Sequence, residues 1–295
     1  MKRTGFIAIV GRPNVGKSTL MNQILGEKVA IVSNKPQTTR NRITGIHTRG
    51  EDQFVFLDTP GIHSPKNSLG EYMVKAADAT MRDADAVVLV VDTGKEISKV
   101  EENVIAYLKR SGIPAILALN KIDLYRREQI AETISAYAAK HDFEAFVPIA
   151  AKNGKNVAEL LDECGKFLSE SEWFFPEDMV TDQPERQIAA EIIREKILRT
   201  LNKEVPHGTA VVIEEFKDER TLVRIRAEIF CEKASHKGII VGKNGESLKL
   251  IGTYAREDLE KLLGVKVYLN LWVKVKENWR ESARTVQNFG YRDED

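Results

Sequence analysis

The segment Gly11–Ser18 restricts the fold of this chain more than any other part of the sequence. It reads GRPNVGKS and satisfies the pattern G-x-x-x-x-G-K-S/T, directly after a predicted strand and directly before a predicted helix. Its glycines let backbone N–H groups turn toward phosphate oxygens, and the helix N-terminus adds partial positive charge. The context favours a phosphate-binding loop over a glycine-rich turn without a ligand. The residues expected to bind nucleotide here are Gly11, Arg12, Pro13, Asn14, Val15, Gly16, Lys17, Ser18 and Thr19.

Short apolar runs alternate with helical periodicity from Gly5 to about Leu168. This alternation predicts an α/β domain with a mostly parallel, doubly wound sheet, which we place at residues 1–172. The predicted strands are Phe6–Val10, Phe54–Leu57, Ala86–Val91, Ala115–Leu119 and Ala145–Ile149, and the predicted helices are Ser18–Leu25, Leu69–Arg82, Glu101–Arg110, Glu128–Lys140 and Val157–Leu168.

Two more motifs follow predicted strands of this domain. Asp58-Thr59-Pro60-Gly61 comes after FVFL, where the Asp58 carboxylate can hold Mg²⁺ through water and the Gly61 amide can meet a terminal phosphate. Asn120-Lys121-Ile122-Asp123 comes after another apolar strand, at the edge where open α/β sheets bind ligands. The Asp123 carboxylate can accept from both the ring N–H and the exocyclic amine of guanine, a pair of donors that adenine lacks. The three motifs in this order predict a GTPase.

A different order of elements begins after a predicted linker at residues 173–184. We expect the linker to be anchored at one point by Trp173, Phe174 and Phe175. These aromatic residues are expected to pack between the domains. The alternative is a contact with a membrane or a partner. The second domain is placed at 185–280, and residues 281–295 are predicted to be a C-terminal tail. Its predicted elements are a helix at Glu185–Leu201, a hairpin of Thr209–Phe216 and Leu222–Phe230, a helix-loop-helix at Ala234–Leu263 and a strand at Val265–Val275.

The loop inside this helix-loop-helix carries a second motif, GIIVGKNG. A G-x-x-G loop between two helices of an α-β-β-α-α-β unit is the signature of a KH domain, in which the backbone approaches four nucleotides of a single RNA strand. A helix-capping turn is the alternative, and the element order favours the RNA reading. The predicted RNA-binding residues are Gly238, Ile239, Ile240, Val241, Gly242, Lys243, Asn244 and Gly245.

Charge and composition limit the remaining possibilities. Lys plus Arg and Asp plus Glu both total 44, so any surface for nucleic acid is local rather than global. From His236 to Arg280 there are nine Lys or Arg against five Asp or Glu. The two cysteines suggest neither a disulfide framework nor a metal cluster, and no apolar stretch predicts a signal peptide or a spanning helix. We therefore expect a cytoplasmic protein.

The motifs GRPNVGKS, QTTRN, DTPG, NKID and GIIVGKNG, in this order over residues 4–280, closely resemble those of the bacterial Era GTPases. The resemblance implies a GTPase domain of the TrmE-Era-EngA class followed by a type II KH domain. It implies GTP or GDP with Mg²⁺ as cofactors and a role in assembly of the small ribosomal subunit. It also implies binding to the 3′ end of 16S rRNA and peripheral association with the inner membrane.

The resemblance also assigns residues that the motifs leave open. Of Thr38 and Thr39, it favours Thr39 as the residue that completes the Mg²⁺ shell, beside Ser18 and Asp58. It places Asn14 where some GTPases bind K⁺. Residue 62 is isoleucine and cannot orient a water as glutamine does in Ras-like proteins, which predicts slow intrinsic hydrolysis. The segment Ala150, Ala151 and Lys152 replaces the S-A-K that supports guanine, and the Ala151 amide is expected to contact the base.

We therefore interpret the sequence as a monomeric, GTP-controlled RNA-binding switch, with Lys17, Thr39 and Gly61 acting in hydrolysis. One alternative is a GTPase whose second domain binds protein or membrane rather than RNA. Another is a nucleotide-dependent enzyme that acts on a different substrate, although the sequence shows no spare nucleophile or acid–base cluster outside the phosphate site.

Overall fold

The structure is a computed structural model that describes residues 1–35, 37–62, 65–202 and 205–292. The chain divides into two units, of which the first comprises residues 1–32, 39–64 and 73–182 and the second comprises 33–38, 65–72 and 183–295. The main division between residues 182 and 183 falls inside the predicted linker, near its C-terminal end.

The larger sheet consists of β1 (Arg3–Val10), β2 (Ile43–Arg49), β3 (Asp52–Asp58), β4 (Ala86–Asp92), β5 (Ala115–Asn120), β6 (Ala145–Pro148) and β7 (Ser169–Glu170). Its strand order is β2-β3-β1-β4-β5-β6, and β7 pairs with the start of β1. Only β2 and β7 run antiparallel to their neighbours. The prediction of a mostly parallel sheet is confirmed.

The helices of this α/β region cover both faces of the sheet. One apolar core includes Leu20 and Leu160 together with inward side chains of the strands, and the other includes Leu108 and Tyr137. This is the doubly wound arrangement that alternating strands and helices predict. The helices are α1 (Lys17–Leu25), α2 (Ser68–Arg82), α3 (Lys99–Ser111), α4 (Arg127–Ala138) and α5 (Val157–Cys164).

The parallel strands place the sequence motifs along one edge of the sheet. β1 leads into Gly11, β3 ends at Asp58, β4 ends at Asp92 and β5 ends at Asn120. Because these strands are parallel, their carboxyl ends meet at the same edge. Motifs separated by up to about a hundred residues therefore form one site.

Strand β2 (Ile43–Arg49) is not among the strands predicted from the sequence. The strand pairs with β3 from Ile43 opposite Asp58 to Arg49 opposite Asp52. Its sequence, ITGIHTR, contains a glycine and lacks a continuous apolar run. Four of its seven residues are β-branched, which favours a strand, and pairing with the buried neighbour β3 fixes it.

The predicted linker at 173–184 is bonded to the first unit at several points rather than one. The Phe174 ring stacks on Phe6 with the ring centroids 5.1 Å apart. The Phe175 backbone N–H donates to the Gln53 side chain at 3.1 Å, and the Gln53 amide donates to the Phe175 carbonyl at 2.8 Å. These contacts are all with the first unit, and packing of the aromatic residues between the domains stays a prediction.

The second unit has a three-stranded sheet covered by helices on one face. The core joins Ile192 of the first helix, Ile225 of the central strand and Ile251 of the longest helix. The elements are α6 (Glu185–Thr200), β8 (Ala210–Asp218), β9 (Leu222–Cys231), α7 (Ala234–Val241), α8 (Glu246–Leu263), β10 (Lys266–Val275) and α9 (Ala283–Asn288). The strand order is β10-β9-β8, with β9 parallel to β10 and antiparallel to β8.

Part of the predicted C-terminal tail belongs to this folded unit. Phe289 stacks on Phe230 of β9 with the ring centroids 4.4 Å apart. Val286 and Tyr291 are buried. The unit therefore continues past residue 280, because these side chains cover one end of the sheet. Residues 293–295 of the predicted tail lie outside the described residues.

Candidate functional site

The phosphate loop requires glycine at both ends because other backbone and side-chain atoms approach it closely. Gly11 has φ 150°, and a Cβ at this position would lie 2.3 Å from the carbonyl oxygen of Val90. Gly16 has φ 104°, and a Cβ there would lie 2.2 Å from Nδ2 of Asn120. Any side chain at either position would displace a neighbouring motif or strand.

Lys17 is held inside the curve of this loop. Its Nζ donates to the carbonyl oxygens of Gly11 at 3.1 Å and Arg12 at 3.3 Å. Burial lowers the pKa of Lys17, and the negative charge of Asp58 opposes that shift. A buried ammonium group at the end of a phosphate loop is suited to an anionic ligand, since phosphate oxygens would stabilise its charged form.

The oxygen atoms of Ser18, Thr39 and Asp58 meet beside Lys17. Ser18 Oγ donates to Asp58 Oδ2 at 2.7 Å and lies 2.9 Å from Thr39 Oγ1. Thr39 Oγ1 donates to the same carboxylate oxygen at 3.4 Å. Residues from the first helix, the segment before β2 and the end of β3 thus supply three oxygen donors to one point.

The Asp58 carboxylate shows that this cluster fits a divalent cation. The side chain is fully buried, and its Oδ1 has no hydrogen-bond partner among the described residues. Burial raises the pKa of Asp58, although Lys17 and the two hydroxyl groups act in the opposite direction. A buried oxygen without a partner is costly, and a group of hydroxyl and carboxylate oxygens is the donor set that Mg²⁺ prefers.

The geometry distinguishes Thr39 from Thr38. Thr39 is 6% exposed and is directed at Ser18 and Asp58. The Thr38 hydroxyl instead donates to the carbonyl oxygen of Lys35 at 2.6 Å. The structure therefore brings Thr39, and not Thr38, to the oxygen cluster.

The DTPG motif lies against the phosphate loop. The Thr59 hydroxyl donates to the carbonyl oxygen of Ile9 at 3.0 Å and is turned into the core, and Pro60 is also buried. A Cβ at Gly61 would lie 2.9 Å from the backbone of Pro13. Only Gly61 of this motif therefore approaches the loop closely enough for its backbone to act on a bound phosphate.

Asn120 joins three segments of the site. Its Nδ2 donates to the carbonyl oxygen of Val15 at 2.7 Å, and its Oδ1 accepts from the backbone N–H groups of Lys121 at 2.8 Å and Ala151 at 2.9 Å. The Ala151 amide therefore donates to Asn120, and its expected contact with the base stays a prediction. Ala150 and Ala151 are buried and Lys152 is exposed.

Asp123 is placed differently from Asn120. It lies in a short 3-10 turn at Ile122–Leu124 and is exposed. Within the described ranges, no residue donates a hydrogen bond to its carboxylate. The carboxylate is therefore available to accept from a base.

Sequence reasoning missed two acidic side chains of this site. Asp92 ends β4 and accepts from Lys121 Nζ at 3.0 Å, and Glu101 forms an ion pair with Arg12 at 3.2 Å. Asp92 follows a buried strand just as Asp58 does, so the same rule could have found it. The sequence around Glu101 does not indicate a site residue, because an acidic residue near the start of a helix is usually exposed.

The G-x-x-G loop of the second unit is a tight left-handed turn. Gly242, Asn244 and Gly245 have φ values of 75°, 52° and 80°. A Cβ at Gly242 would lie 2.7 Å from Ser247, so this position requires glycine. Lys243 and Asn244 are exposed at the tip, where the backbone is open to a ligand.

The residues before the loop divide into core and surface. Gly238 to Val241 form the last turn of α7, and Ile240 is fully buried in the core. Its side chain is therefore part of the core, and the predicted RNA contact at this position stays a prediction. Ile239 is 50% exposed, and Leu250 and Tyr254 of α8 are 42% and 46% exposed. Leu250 and Tyr254 were missed, although their i, i+4 spacing places them on one exposed helix face that is suited to bases.

Comparisons with known proteins agree with this division. The family model described as 50S ribosome-binding GTPase matches residues 6–121, and the model described as KH domain matches residues 204–280. A crystal structure of Era in complex with MgGDPNP and nucleotides 1506–1542 of 16S ribosomal RNA has a TM-score of 0.95 and 41% identity, and covers 99% of both chains. A variant of Aquifex aeolicus Era bound to GDP·AlF4⁻ has a TM-score of 0.95 and 42% identity, and covers 98% of this chain and 99% of its own.

The fold and the site define a P-loop GTPase with a C-terminal KH domain. GTPase Era of Clostridioides difficile is 51% identical over 296 residues, which cover 99% of this chain and 100% of the relative. GTPase Era of Alkaliphilus oremlandii is 52% identical over 291 residues, which cover 98% and 99%. The chain belongs to the Era family of GTPases, as its motifs predict.

Proposed function

We propose that this protein is a Mg²⁺-dependent GTPase whose nucleotide state controls RNA binding by its second domain. The observation that carries the GTPase function is the meeting of Ser18, Thr39 and Asp58 beside the buried Lys17. Its curated relatives are named GTPase Era, and solved relatives hold MgGDPNP or GDP·AlF4⁻. Guanine preference is assigned to the exposed carboxylate of Asp123.

Each residue of the oxygen cluster has a distinct role in this proposal. Ser18 and Asp58 hold Mg²⁺ in both nucleotide states, with Asp58 acting through water, and Thr39 completes the shell when GTP is bound. Mg²⁺ held by these residues would supply positive charge that offsets the negative charge developing on the phosphates. The Gly61 amide contacts the terminal phosphate, so loss of that phosphate releases both Thr39 and Gly61.

Slow intrinsic hydrolysis follows from the residue after DTPG. Ile62 is half-buried and packs against an apolar core, and its backbone N–H donates to the Gly11 carbonyl at 3.3 Å. An aliphatic side chain held in this way cannot orient an attacking water. Hydrolysis then depends on Lys17, Mg²⁺ and any cation near the phosphates.

The GTPase function is tested by comparing hydrolysis of GTP and ATP by the full chain, with Mg²⁺ and with EDTA. We expect slow, Mg²⁺-dependent release of phosphate from GTP alone. Lys17→Ala should abolish it by weakening nucleotide binding, since a charge-assisted contact is lost. Equal hydrolysis of ATP, or activity in EDTA, would overturn this function.

For the second domain we propose the 3′ end of 16S rRNA as ligand and assembly of the small ribosomal subunit as the process. The exposed GKNG turn beside Ile239, Leu250 and Tyr254 supports an RNA groove. An Era relative of 41% identity has been solved with nucleotides 1506–1542 of 16S rRNA.

Filter binding of the full chain to a 16S 3′-terminal oligonucleotide, and to a scrambled oligonucleotide of equal composition, tests the RNA assignment. We expect clear preference for the rRNA sequence in the presence of a GTP analogue. Equal weak binding to both would favour the alternative, in which the second domain binds protein or membrane.

Further parts of the proposal concern cations, membranes and oligomeric state. We assign a K⁺ site to Asn14, a monomeric state to the chain, and a cytoplasmic location with peripheral association with the inner membrane. Among the described residues, no helix has the length and apolar character needed to cross a membrane. Sedimentation of the chain, alone and with vesicles of anionic lipid, tests the last two assignments.

A further inference from the structure

A buried polar cluster connects the phosphate loop to two helices of the first unit. It consists of Arg12 of the loop, Glu101 in the first turn of α3 and Tyr137 near the end of α4, and we name it the anchor cluster. Glu101 is 0% exposed and Tyr137 is 1% exposed. The proposed function gives neither Glu101 nor Tyr137 a role.

Glu101 interacts with groups from three segments of the chain. Its Oε2 accepts from the backbone N–H of Ser98 at 2.7 Å, and its Oε1 lies 3.2 Å from Nε of Arg12. The negative charge of Glu101 also acts on the buried Tyr137 side chain of α4 and raises its pKa. A charge enclosed to this degree depends on its partners, because a buried carboxylate without them is strongly destabilising.

Tyr137 remains a hydrogen-bond donor in this cluster. Burial raises the pKa of Tyr137, and the charge and hydrogen bond of Glu101 raise it further, whereas Arg12 acts in the opposite direction. The phenol therefore keeps its proton and stays neutral beside the Glu101 carboxylate.

Helix capping alone does not account for the burial of Glu101. Ser98 and Glu101 form a capping box at the start of α3, in which the Ser98 hydroxyl accepts from the Glu101 backbone N–H. The Glu101 side chain needs only the contact with the Ser98 backbone for this motif. The next residue, Glu102, is exposed and pairs with Lys140 at 3.5 Å. The contact with Arg12 is therefore additional to the cap.

Arg12 lies at a sensitive point of the phosphate loop. Its carbonyl oxygen, with that of Gly11, accepts from Lys17 Nζ. The next residue, Pro13, is the one that Gly61 approaches. Because the side chain and carbonyl of Arg12 belong to one residue, the ion pair with Glu101 restricts the backbone that positions Lys17.

We propose that Glu101 is a positioning residue for nucleotide binding, which holds Arg12 and thereby fixes the first half of the phosphate loop in its binding conformation. The inference rests on the proposed GTPase function and deepens it. The Arg12 side chain acts in the anchor cluster, and the loop backbone acts on phosphate. Loss of the anchor should accelerate release of both GDP and GTP without altering the preference for guanine.

The experiment measures dissociation of GDP carrying a fluorescent methylanthraniloyl group from the full chain, by stopped flow with excess unlabelled GDP. The variants are Glu101→Gln, Arg12→Met, the double variant and Tyr137→Phe, with Glu102→Gln as the matched control on the same helix turn. We expect dissociation at least about 10-fold faster for both single variants, as for loss of one charge-assisted contact. Tyr137→Phe should give a smaller increase, and Glu102→Gln should match the wild type.

The Tm of each variant, measured by thermal unfolding without nucleotide, separates a positioning role of Glu101 from a contribution to stability. Arg12→Met leaves the buried carboxylate of Glu101 without its cation, whereas the double variant removes both charges. The double variant should therefore recover part of the Tm that Arg12→Met loses. Its GDP dissociation should nevertheless stay as fast as in the single variants. If the double variant recovers both the Tm and the wild-type rate of GDP dissociation, the cluster has only a structural role and the inference is overturned.

Two other outcomes distinguish failure of this inference from failure of the proposed GTPase function. A Glu101→Gln variant and an Arg12→Met variant that release GDP at the wild-type rate would overturn the anchor while leaving the GTPase function intact. A wild-type chain that does not retain labelled GDP would overturn the proposed function itself.

Discussion

The ammonium group of Lys121 lies 3.0 Å from the main-chain oxygen of Asn14, a residue 107 positions earlier in the chain. The same group donates to Asp92 Oδ2 at 3.0 Å. The base-recognition motif is therefore bonded directly to the phosphate loop. Lys121 has φ 66°, a left-handed conformation that its side-chain contacts must stabilise.

The first prediction concerns this bridge. Lys121→Met removes two charge-assisted hydrogen bonds, each worth about 1.5–3 kcal/mol, and should weaken both GDP and GTP binding at least about 10-fold. Isothermal titration of the full chain with each nucleotide measures the effect. Lys140→Met, which removes an exposed lysine paired with Glu102, is the control and should bind as the wild type does. Unchanged affinity in Lys121→Met would show that the bridge does not contribute.

The second prediction concerns Asp123. Asp123→Asn should exchange guanine preference for xanthine. The amide has one acceptor oxygen and one donor group, so it can accept from the ring N–H and donate to the xanthine carbonyl, but it cannot accept from both guanine donors at once. Competition between GTP and XTP for binding measures the change. Asp123 is exposed in a short turn, and substitutions at exposed positions usually change the free energy of unfolding by less than about 0.5 kcal/mol. A loss of guanine binding would therefore not be explained by a folding defect. Retained guanine selectivity would refute the assignment.

Motif order and strand ends were sufficient to predict most of the nucleotide site. Gly11, Asp58 and Asn120 each follow an apolar strand, and parallel strands end at one edge of the sheet, so the sequence alone implies that they meet. The predicted oxygen donors Ser18, Thr39 and Asp58 do lie together. Their detailed roles stay predictions.

Features that depend on tertiary contacts could not be predicted. Strand β2 is paired with β3, and the aromatic residue Phe174 stacks on Phe6, which is 168 positions earlier in the sequence. The anchor between Arg12 and Glu101 joins residues whose separate local patterns, a loop and a helix start, give no sign of each other. The burial of Ile240 inside the GIIVGKNG motif likewise depends on the core around it.

The third prediction separates the two adjacent threonines. Thr39→Ala removes a hydroxyl from the oxygen cluster and should lower the rate of GTP hydrolysis at least about 10-fold, as for loss of a group that orients a metal ligand. Thr38→Ala is the matched control, because its hydroxyl donates to Lys35 and not to the cluster. Single-turnover hydrolysis at several Mg²⁺ concentrations measures both. A larger defect in Thr38→Ala than in Thr39→Ala would reverse the assignment.

The fourth prediction concerns monovalent cations. Asn14 is exposed in the phosphate loop with φ 64°, and Ile62 cannot orient water. A cation beside the phosphates would offset the charge that develops in the transition state. We expect faster GTP hydrolysis in KCl than in NaCl at equal ionic strength, and no difference for Asn14→Ala. Equal rates of the wild type in the two salts would remove the K⁺ site.

The last prediction concerns the tip of the GKNG turn. Changing Lys243 and Asn244 to aspartate places two carboxylates where the RNA backbone is expected, so repulsion replaces attraction. Asn244 has φ 52°, a conformation that aspartate also tolerates, and Gly242 and Gly245 are retained. The fold should therefore survive, and rRNA binding should fall at least about 100-fold in a filter assay at one fixed salt concentration.

Two controls make this result specific. Lys217→Asp reverses an exposed charge in the hairpin at the end of β8, away from the turn in sequence, and should leave RNA binding close to wild type. GTP affinity and hydrolysis of the doubly substituted chain should also be unchanged, because the turn lies outside the residues assigned to nucleotide. Wild-type RNA binding should weaken with salt, as release of counterions from phosphate requires. If the doubly substituted chain binds rRNA as tightly as the wild type, GKNG is only a helix-capping turn and the RNA surface lies elsewhere.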